Sequence, residues 1–123
     1  MIDDFEIDPK VLIVTYPCFI LTSGIAPGFI CHEINGGGKA VTILTDEDLL
    51  DRYRWELGLH DRPALQFDSP ADLLRVLRTF PADVTHVVVD PPESFSESRL
   101  VRSFKIGGFK KRLARPDEGD SLR

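Results

Sequence analysis

Short apolar runs dominate the first third of the chain and predict extended structure. The run "KVLIVTY" (10–16) is apolar and β-branched, which favours a strand. Pro17 either ends this strand or places it at a sheet edge, because proline donates no ladder hydrogen bond. "CFILT" (18–22) predicts more extended chain, and "SGIAPG" (23–28) predicts a loop.

A β-hairpin is predicted next. The strand-like runs "FICHEI" (29–34) and "KAVTILT" (39–45) are separated by "NGGG". Asn-Gly between two apolar runs is a strong hairpin signal, because both residues adopt positive φ at low cost.

Helical spacing follows the hairpin. Thr45 is the predicted N-cap of a helix, with Asp48 at the N3 position and Gly58 as its stop. The apolar residues of this segment recur along one helical face: Leu49, Leu50, Tyr53 and Leu57.

A second strand–helix–strand unit completes the middle of the chain. "ALQF" (64–67) predicts a short strand. "SPADLLRVLRTFP" (69–81) predicts a helix with Ser69 as N-cap and proline at its first position. The consecutive valines of "THVVVD" (85–90) are typical of a central parallel strand that is buried on both faces.

These elements predict an α/β (or α+β) fold. We expect a mixed sheet in which an N-terminal hairpin or meander precedes a β-α-β-α-β unit, with the helices packed on the sheet. "RLVRSFKI" (99–106) predicts a further strand, and "GGFKKRLAR" (107–115) predicts a short helix that buries Phe109 and Leu113.

One domain is expected, spanning residues 10–115. Residues 1–9 are rich in aspartate and glutamate and predict a mobile tail or a short helical arm. Residues 116–123 are expected to form a disordered tail.

Composition fits a soluble single domain. The chain has 123 residues, of which 42% are hydrophobic and 28% charged, with a net charge of −5. That charge gives no reason to expect a nucleic-acid binder. The apolar stretch 11–30 is too interrupted by proline and glycine to span a membrane, and the acidic start lacks a signal-peptide pattern. We therefore expect a cytoplasmic protein whose two cysteines are reduced.

The glycine-rich turn and the neighbouring Cys-His pair are weak candidates for chemistry. A phosphate-binding loop needs a helix after its glycines and Ser or Thr after its lysine, whereas Ala40 and a strand follow Lys39. Cys31 and His32 point to opposite faces of a strand, so they cannot act together as neighbours.

Three aspartates follow predicted parallel strands: Asp46, Asp68 and Asp90. Ligand sites in open α/β sheets lie at the carboxyl ends of strands, and carboxylates are the ligands that Mg²⁺ prefers. The alternative is local: acids are favoured at helix starts and in turns.

The C-terminal segment carries seven basic residues without an intervening acid: Arg99, Arg102, Lys105, Lys110, Lys111, Arg112 and Arg115. Such a segment fits a solvated face, a pairing with the acidic N-terminus, a protein partner or nucleic acid. The predicted partner-binding residues are the first six of these together with Trp55, since tryptophan is enriched in binding hot spots.

The runs "GFICHEINGGGKAVTILTDEDLLDRY", "SPADLLRVL" and "THVVVDPP" resemble the SseB-like domain found in bacterial type III secretion regulators. The shared features are a hairpin, the entry Leu44–Glu47 into a helix, a second helix at 72–77, and a strand that ends in Asp-Pro. The resemblance implies an α/β interaction module and transfers no catalytic residue. The basic segment and the single domain depart from the family pattern.

Three hypotheses follow. The first is a non-catalytic interaction or scaffold domain that binds a protein partner, with a homodimer as one form. The second is a Mg²⁺-dependent or phosphate-handling enzyme that uses the three aspartates. The third is a nucleic-acid-associated protein that uses the basic segment.

Overall fold

A computed structural model describes residues 3–8, 14–23, 28–91 and 100–114. Within these ranges the strands and helices, in chain order, are β1 (Asp3–Glu6), β2 (Cys18–Leu21), β3 (Cys31–Glu33), β4 (Lys39–Ile43), α1 (Glu47–Leu57), β5 (Ala64–Phe67), α2 (Pro70–Leu77), β6 (Val84–Val89), β7 (Leu100–Lys105) and α3 (Ile106–Ala114). None of these helices is long and apolar enough to cross a membrane.

The principal sheet has five strands in the order β1-β7-β6-β4-β3. β4 and β6 are parallel neighbours, as are β1 and β7, whereas β3 and β7 run antiparallel to β4 and β6 respectively. A separate antiparallel pair, β2 and β5, contacts the end of β4 through mutual backbone hydrogen bonds between Phe19 and Leu44. The predicted α/β architecture with a mixed sheet is confirmed.

One strand lies elsewhere than the β-α-β-α-β prediction placed it. β5 pairs with β2 rather than inserting into the principal sheet, so a single long crossover joins β4 to β6. The burial pattern gives the physical reason, because Leu65 and Gln66 are exposed. A strand inside a covered parallel sheet would bury both of its faces.

Two apolar cores form on opposite faces of the principal sheet, because successive side chains of a strand alternate between faces. Val87 packs in the first core with α2 and α3, whereas Val88 packs in the second core with α1. The first core includes Phe109 and Leu113 of α3, as predicted. The crossover therefore places α1 and α2 on different sides of the sheet.

The predicted tail or helical arm at the N-terminus is wrong for Asp3–Glu6. These residues form strand β1, which pairs in parallel with β7. Asp4 finds a donor there, since the Ser103 hydroxyl donates to Asp4 Oδ2 at 2.6 Å. Of the predicted strand "KVLIVTY", residues 10–13 lie outside the described ranges and residues 14–16 are not in a strand. The predicted C-terminal tail at 116–123 also lies outside them.

Helix boundaries agree in part with the prediction, since α2 ends at Leu77 rather than at Pro81. Ser69 caps α2, and Gly58 ends α1 in the left-handed region at a φ of 67°. The N-cap of α1 is Asp46 rather than Thr45, because the Asp46 carboxylate accepts the backbone N–H of Asp48 at 2.9 Å. Thr45 is engaged in another interaction, at the end of β6.

Candidate functional site

The predicted magnesium ligands do not converge. Asp46 caps α1, and Asp68 accepts a hydrogen bond from the Gln66 amide at 2.8 Å. Asp68 also follows β5, which lies outside the principal sheet. Across the described ranges, no three or more His, Cys, Asp or Glu side chains are grouped so that they could hold a metal ion. Asp46, Asp68 and Asp90 therefore form no such group among the described residues.

Asp90 forms a hydrogen-bonded pair with Thr45, here named the Thr45–Asp90 clamp. One carboxylate oxygen accepts the Thr45 backbone N–H at 2.9 Å, and the other accepts the Thr45 hydroxyl at 2.6 Å. The Asp90 N–H donates to the Ile43 carbonyl, and Asp90 itself has a φ of 48°. The clamp ties the carboxyl end of β6 to that of β4, so this carboxylate has a structural use.

The opposite end of the same strand pair is open. Lys39 begins β4 and Val84 begins β6, and a cleft of about 720 Å³ lies beside them. Phe29 and Phe80 form an aromatic wall, with ring centroids 4.9 Å apart. This feature is here named the amino-end cleft. Its volume falls within the range of small-molecule sites, which are mostly apolar with a few placed polar groups.

An ion pair stands on the rim of the amino-end cleft. Lys39 Nζ lies 3.2 Å from Asp83 Oδ2, and their side chains are 44% and 54% exposed. The Lys39 backbone N–H also donates to the Asp83 carbonyl at 2.9 Å, which fixes the two side chains beside each other. The cleft thus combines apolar walls with one positive and one negative group that water can reach.

Both cysteines are free thiols with raised pKa values. Cys31 lines the amino-end cleft, and burial raises its pKa, with Lys39 lowering it and Asp83 raising it to smaller extents. Burial, with smaller contributions from the nearby Asp90 and Asp68, raises the pKa of Cys18 to about 12. Both groups therefore stay protonated at neutral pH, which disfavours nucleophilic chemistry because the thiolate is the reactive form.

His32 lies on the other face of β3 from Cys31, as strand alternation predicts. Its Nε2 is 2.6 Å from the Tyr53 hydroxyl of α1. Burial lowers the pKa of His32 to about 4 and raises the pKa of Tyr53. The imidazole is therefore neutral at pH 7, and its Nε2 shares a hydrogen bond with the Tyr53 hydroxyl whose direction is set by the imidazole tautomer.

Trp55 projects from α1 into solvent, where its side chain is 71% exposed. Its ring centroid lies 4.6 Å from that of His60, and the two rings are tilted by 50°. Within the described ranges, only Trp55 and Leu65 are large hydrophobic residues with exposed side chains. Trp55 therefore lies on the outer face of α1, outside the buried face that contains Leu50 and Tyr53.

Lys110, Lys111 and Arg112 of α3 lie on the opposite side of the sheet from Trp55, whereas Lys105 of β7 follows Phe104 of the first core and so faces the second-core side. α3 packs in the first core and α1 in the second, so the predicted partner-binding residues form two separate surfaces. Lys105 is paired with Glu6 at 3.8 Å. Four basic residues of β7 and α3 have no carboxylate partner among the described residues: Arg102, Lys110, Lys111 and Arg112. Arg99 lies outside these residues.

Two features escaped prediction because distant segments build them. The amino-end cleft takes residues from the ends of β3 and β4 and from the turn after α2, and no local motif joins these segments. Likewise, His86 of β6 lies 3.1 Å from Glu6 of β1, eighty positions away. The only sequence signal for the cleft was the lysine that closes the glycine-rich turn.

Comparison with protein families, with curated proteins and with solved structures finds no significant match.

Proposed function

We propose that the chain is a cytoplasmic, non-catalytic domain that binds a protein partner through Trp55. The exposure of the Trp55 side chain, at 71%, carries the proposal. Burying an exposed indole at an interface removes a large apolar area from water and leaves its N–H able to donate a hydrogen bond. For this reason tryptophan is enriched among the residues that dominate binding free energies.

The contact between Trp55 and His60 supports the proposal. The two rings lie 4.6 Å apart, which restricts the rotamers that the indole can adopt before a partner arrives. A side chain that is already ordered loses less conformational entropy on binding.

The free thiols of Cys18 and Cys31 are compatible with a reducing compartment.

The resemblance to SseB-like domains also supports an interaction module. A second copy of the chain is one form that the partner can take, and the result is then a homodimer related by a two-fold axis. The four basic residues of β7 and α3 that lack a carboxylate partner among the described residues provide a second surface, on the opposite face, that suits an acidic partner.

Photo-crosslinking from position 55 tests the proposal. Trp55 is replaced by benzoylphenylalanine in the native host, with Lys111 replaced in a matched control on the opposite face. We expect a discrete protein adduct from position 55, either with a second copy or with another chain. Adducts at neither position, or at position 111 alone, would remove the support for Trp55.

The Trp55→Ala variant then quantifies the contact with the crosslinked partner. We expect binding to weaken about thirtyfold, or about 2 kcal/mol, which is typical of a hot spot. The free energy of unfolding should change by less than about 0.5 kcal/mol, because the side chain is exposed. Undiminished binding by a folded variant would contradict the proposal.

Nucleic-acid binding is a second candidate function, favoured by the lack of carboxylate partners for Arg102, Lys110, Lys111 and Arg112 among the described residues. Neutralised phosphates release counterions, so the binding constant should then fall steeply with salt concentration. A filter-binding titration from 50 to 200 mM salt distinguishes the two functions. No binding at low salt would remove this candidate.

A further inference from the structure

We propose that the amino-end cleft binds a small molecule with an apolar, ring-sized body and a zwitterionic head. An apolar α-amino acid such as L-phenylalanine is the simplest molecule of this class. The inference goes beyond the proposed protein contact, because the cleft lies on the first-core side of the sheet and Trp55 lies on the second-core side.

The walls of the cleft set the chemistry of the ligand body. Phe29, Phe80 and Val84 present apolar surface, and the cleft volume of about 720 Å³ exceeds that of a phenyl ring. Aromatic side chains favour offset or edge contacts with another ring. Cys31 adds a further small, weakly polar group to this wall.

The rim sets the chemistry of the ligand head. Lys39 and Asp83 already neutralise each other at 3.2 Å. A ligand with only a carboxylate would draw Lys39 away and leave Asp83 without its cation, and a ligand with only an amine would do the reverse. A head that carries both charges gives each side chain a new partner, so it fits the pair best.

The hairpin holds Lys39 in place at the rim. Gly38 packs so closely on Thr85 of β6 that a Cβ at position 38 would overlap the threonine hydroxyl. The backbone hydrogen bond from Lys39 to Asp83 continues this contact at 2.9 Å. The two charged groups are therefore presented by backbones that are already fixed, which lowers the entropic cost of binding.

A panel of four compounds that share a phenyl ring tests the proposal in titrations of ¹⁵N-labelled protein. The panel consists of L-phenylalanine, 3-phenylpropionate, 2-phenylethylamine and benzyl alcohol. We expect L-phenylalanine to shift the amide signals of Cys31, Lys39 and Val84. Its affinity should exceed that of either singly charged compound by about threefold or more, the gain typical of a partly exposed ion pair.

Two variants separate the contribution of the ligand's charged head to binding from that of its apolar body. Lys39→Met and Asp83→Asn should each weaken L-phenylalanine binding about threefold and leave benzyl alcohol unaffected. The Trp55→Ala variant, on the other face, is the matched control and should bind L-phenylalanine unchanged. This control also separates failure of the cleft proposal from failure of the proposed protein contact.

Alkylation gives an independent readout, because Cys31 lines the cleft and Cys18 is fully buried. Saturating L-phenylalanine should slow the reaction of Cys31 with iodoacetamide by about threefold or more, while Cys18 stays unmodified throughout. Equal affinity for all four compounds would overturn the zwitterionic head. Absence of any shift at Cys31, Lys39 and Val84 up to about 10 mM ligand would overturn the site.

Discussion

The two ends of the parallel pair β4–β6 differ in how their polar groups are used. At the carboxyl end, both oxygens of Asp90 are taken up by the Thr45–Asp90 clamp. At the amino end, Lys39 and Asp83 face solvent beside the apolar wall of the cleft. The first end is closed by hydrogen bonds within the chain, and the second offers groups that a ligand can reach.

This difference reverses the usual expectation for open α/β sheets, in which ligands bind at the carboxyl ends of strands. That expectation relies on successive parallel strands, which bring several loops to one edge. Here β5 pairs with β2, so the crossover joins only one neighbouring parallel pair, and Asp68 follows a strand outside the principal sheet. A carboxylate at the right end of a strand is therefore insufficient evidence for a ligand site.

Alanine at Gly38 should produce the largest effect at the amino end. The new Cβ would overlap Thr85, and Gly38 has a φ of 86°, which strains residues that carry a side chain. We expect Gly38→Ala to lower the free energy of unfolding by about 3 kcal/mol, measured by urea denaturation. Gly37→Ala is the matched control, because position 37 has a positive φ but open space. Equal losses in both variants would contradict the close approach.

Acid should lower the free energy of unfolding through His32, which lies on the second-core side of the sheet. The pKa of His32 is about 4 in the folded chain and roughly 6.5 when unfolded, so the unfolded chain takes up the proton first. The stabilisation is complete above pH 6.5 and is lost as the pH falls towards 4. We expect a loss of about 2 to 3 kcal/mol at pH 4.5.

The His32→Gln variant isolates this contribution, because the glutamine amide can donate or accept the hydrogen bond with Tyr53 and does not titrate. Urea denaturation of both proteins at pH 7 and pH 4.5 should show a smaller acid loss in the variant, by about 2 to 3 kcal/mol. The same acid loss in both proteins would show that His32 is not buried in its neutral form.

At the carboxyl end, Asp90→Ala should lower the free energy of unfolding by about 2 kcal/mol. The substitution removes two hydrogen bonds from Thr45 to a carboxylate, and such bonds are stronger than neutral ones. Asp68→Ala is the matched control, because Asp68 is exposed and, within the part of the chain that the structure describes, accepts a hydrogen bond from Gln66 alone. If Asp68→Ala lowers the free energy of unfolding as much as Asp90→Ala does, the Thr45–Asp90 clamp does not stabilise the fold more than an exposed hydrogen bond.

Lys39→Met should have the smallest effect on stability. The ion pair with Asp83 is about half exposed, and such pairs contribute less than about 1 kcal/mol. Thermal unfolding should therefore be nearly unchanged while L-phenylalanine binding weakens. A variant that unfolds as readily as Asp90→Ala would show that both ends are structural clamps, and the contrast between them would be lost.

Local features of the fold were predictable from the sequence, and long-range ones were not. The hairpin glycines, the Ser69 cap and the Phe109–Leu113 face follow from turn chemistry and helical period. The sequence pattern placed β5 in the principal sheet, because "ALQF" has strand propensity but carries no information about its partner. Thr45 matches the capping-box pattern with Asp48, but its hydroxyl bonds Asp90, forty-five positions away, and no local pattern reveals that contact.

The candidate sites divide in the same way. Trp55 could be proposed from residue type and its place beside a helical stripe, and its exposure agrees with that proposal. The three aspartates matched a rule for strand ends, but the rule assumes a sheet that the chain does not build. The amino-end cleft depends on side chains from several segments, so only three-dimensional packing reveals it.

The most direct test of the contrast is one ¹⁵N-labelled sample that receives Mg²⁺ and then L-phenylalanine, with amide shifts recorded after each addition. We predict that Mg²⁺ leaves Thr45, Asp46 and Asp90 unmoved and that L-phenylalanine shifts Cys31, Lys39 and Val84. Saturable shifts at Thr45 and Asp90 with Mg²⁺, together with none at the amino end with L-phenylalanine, would contradict the account.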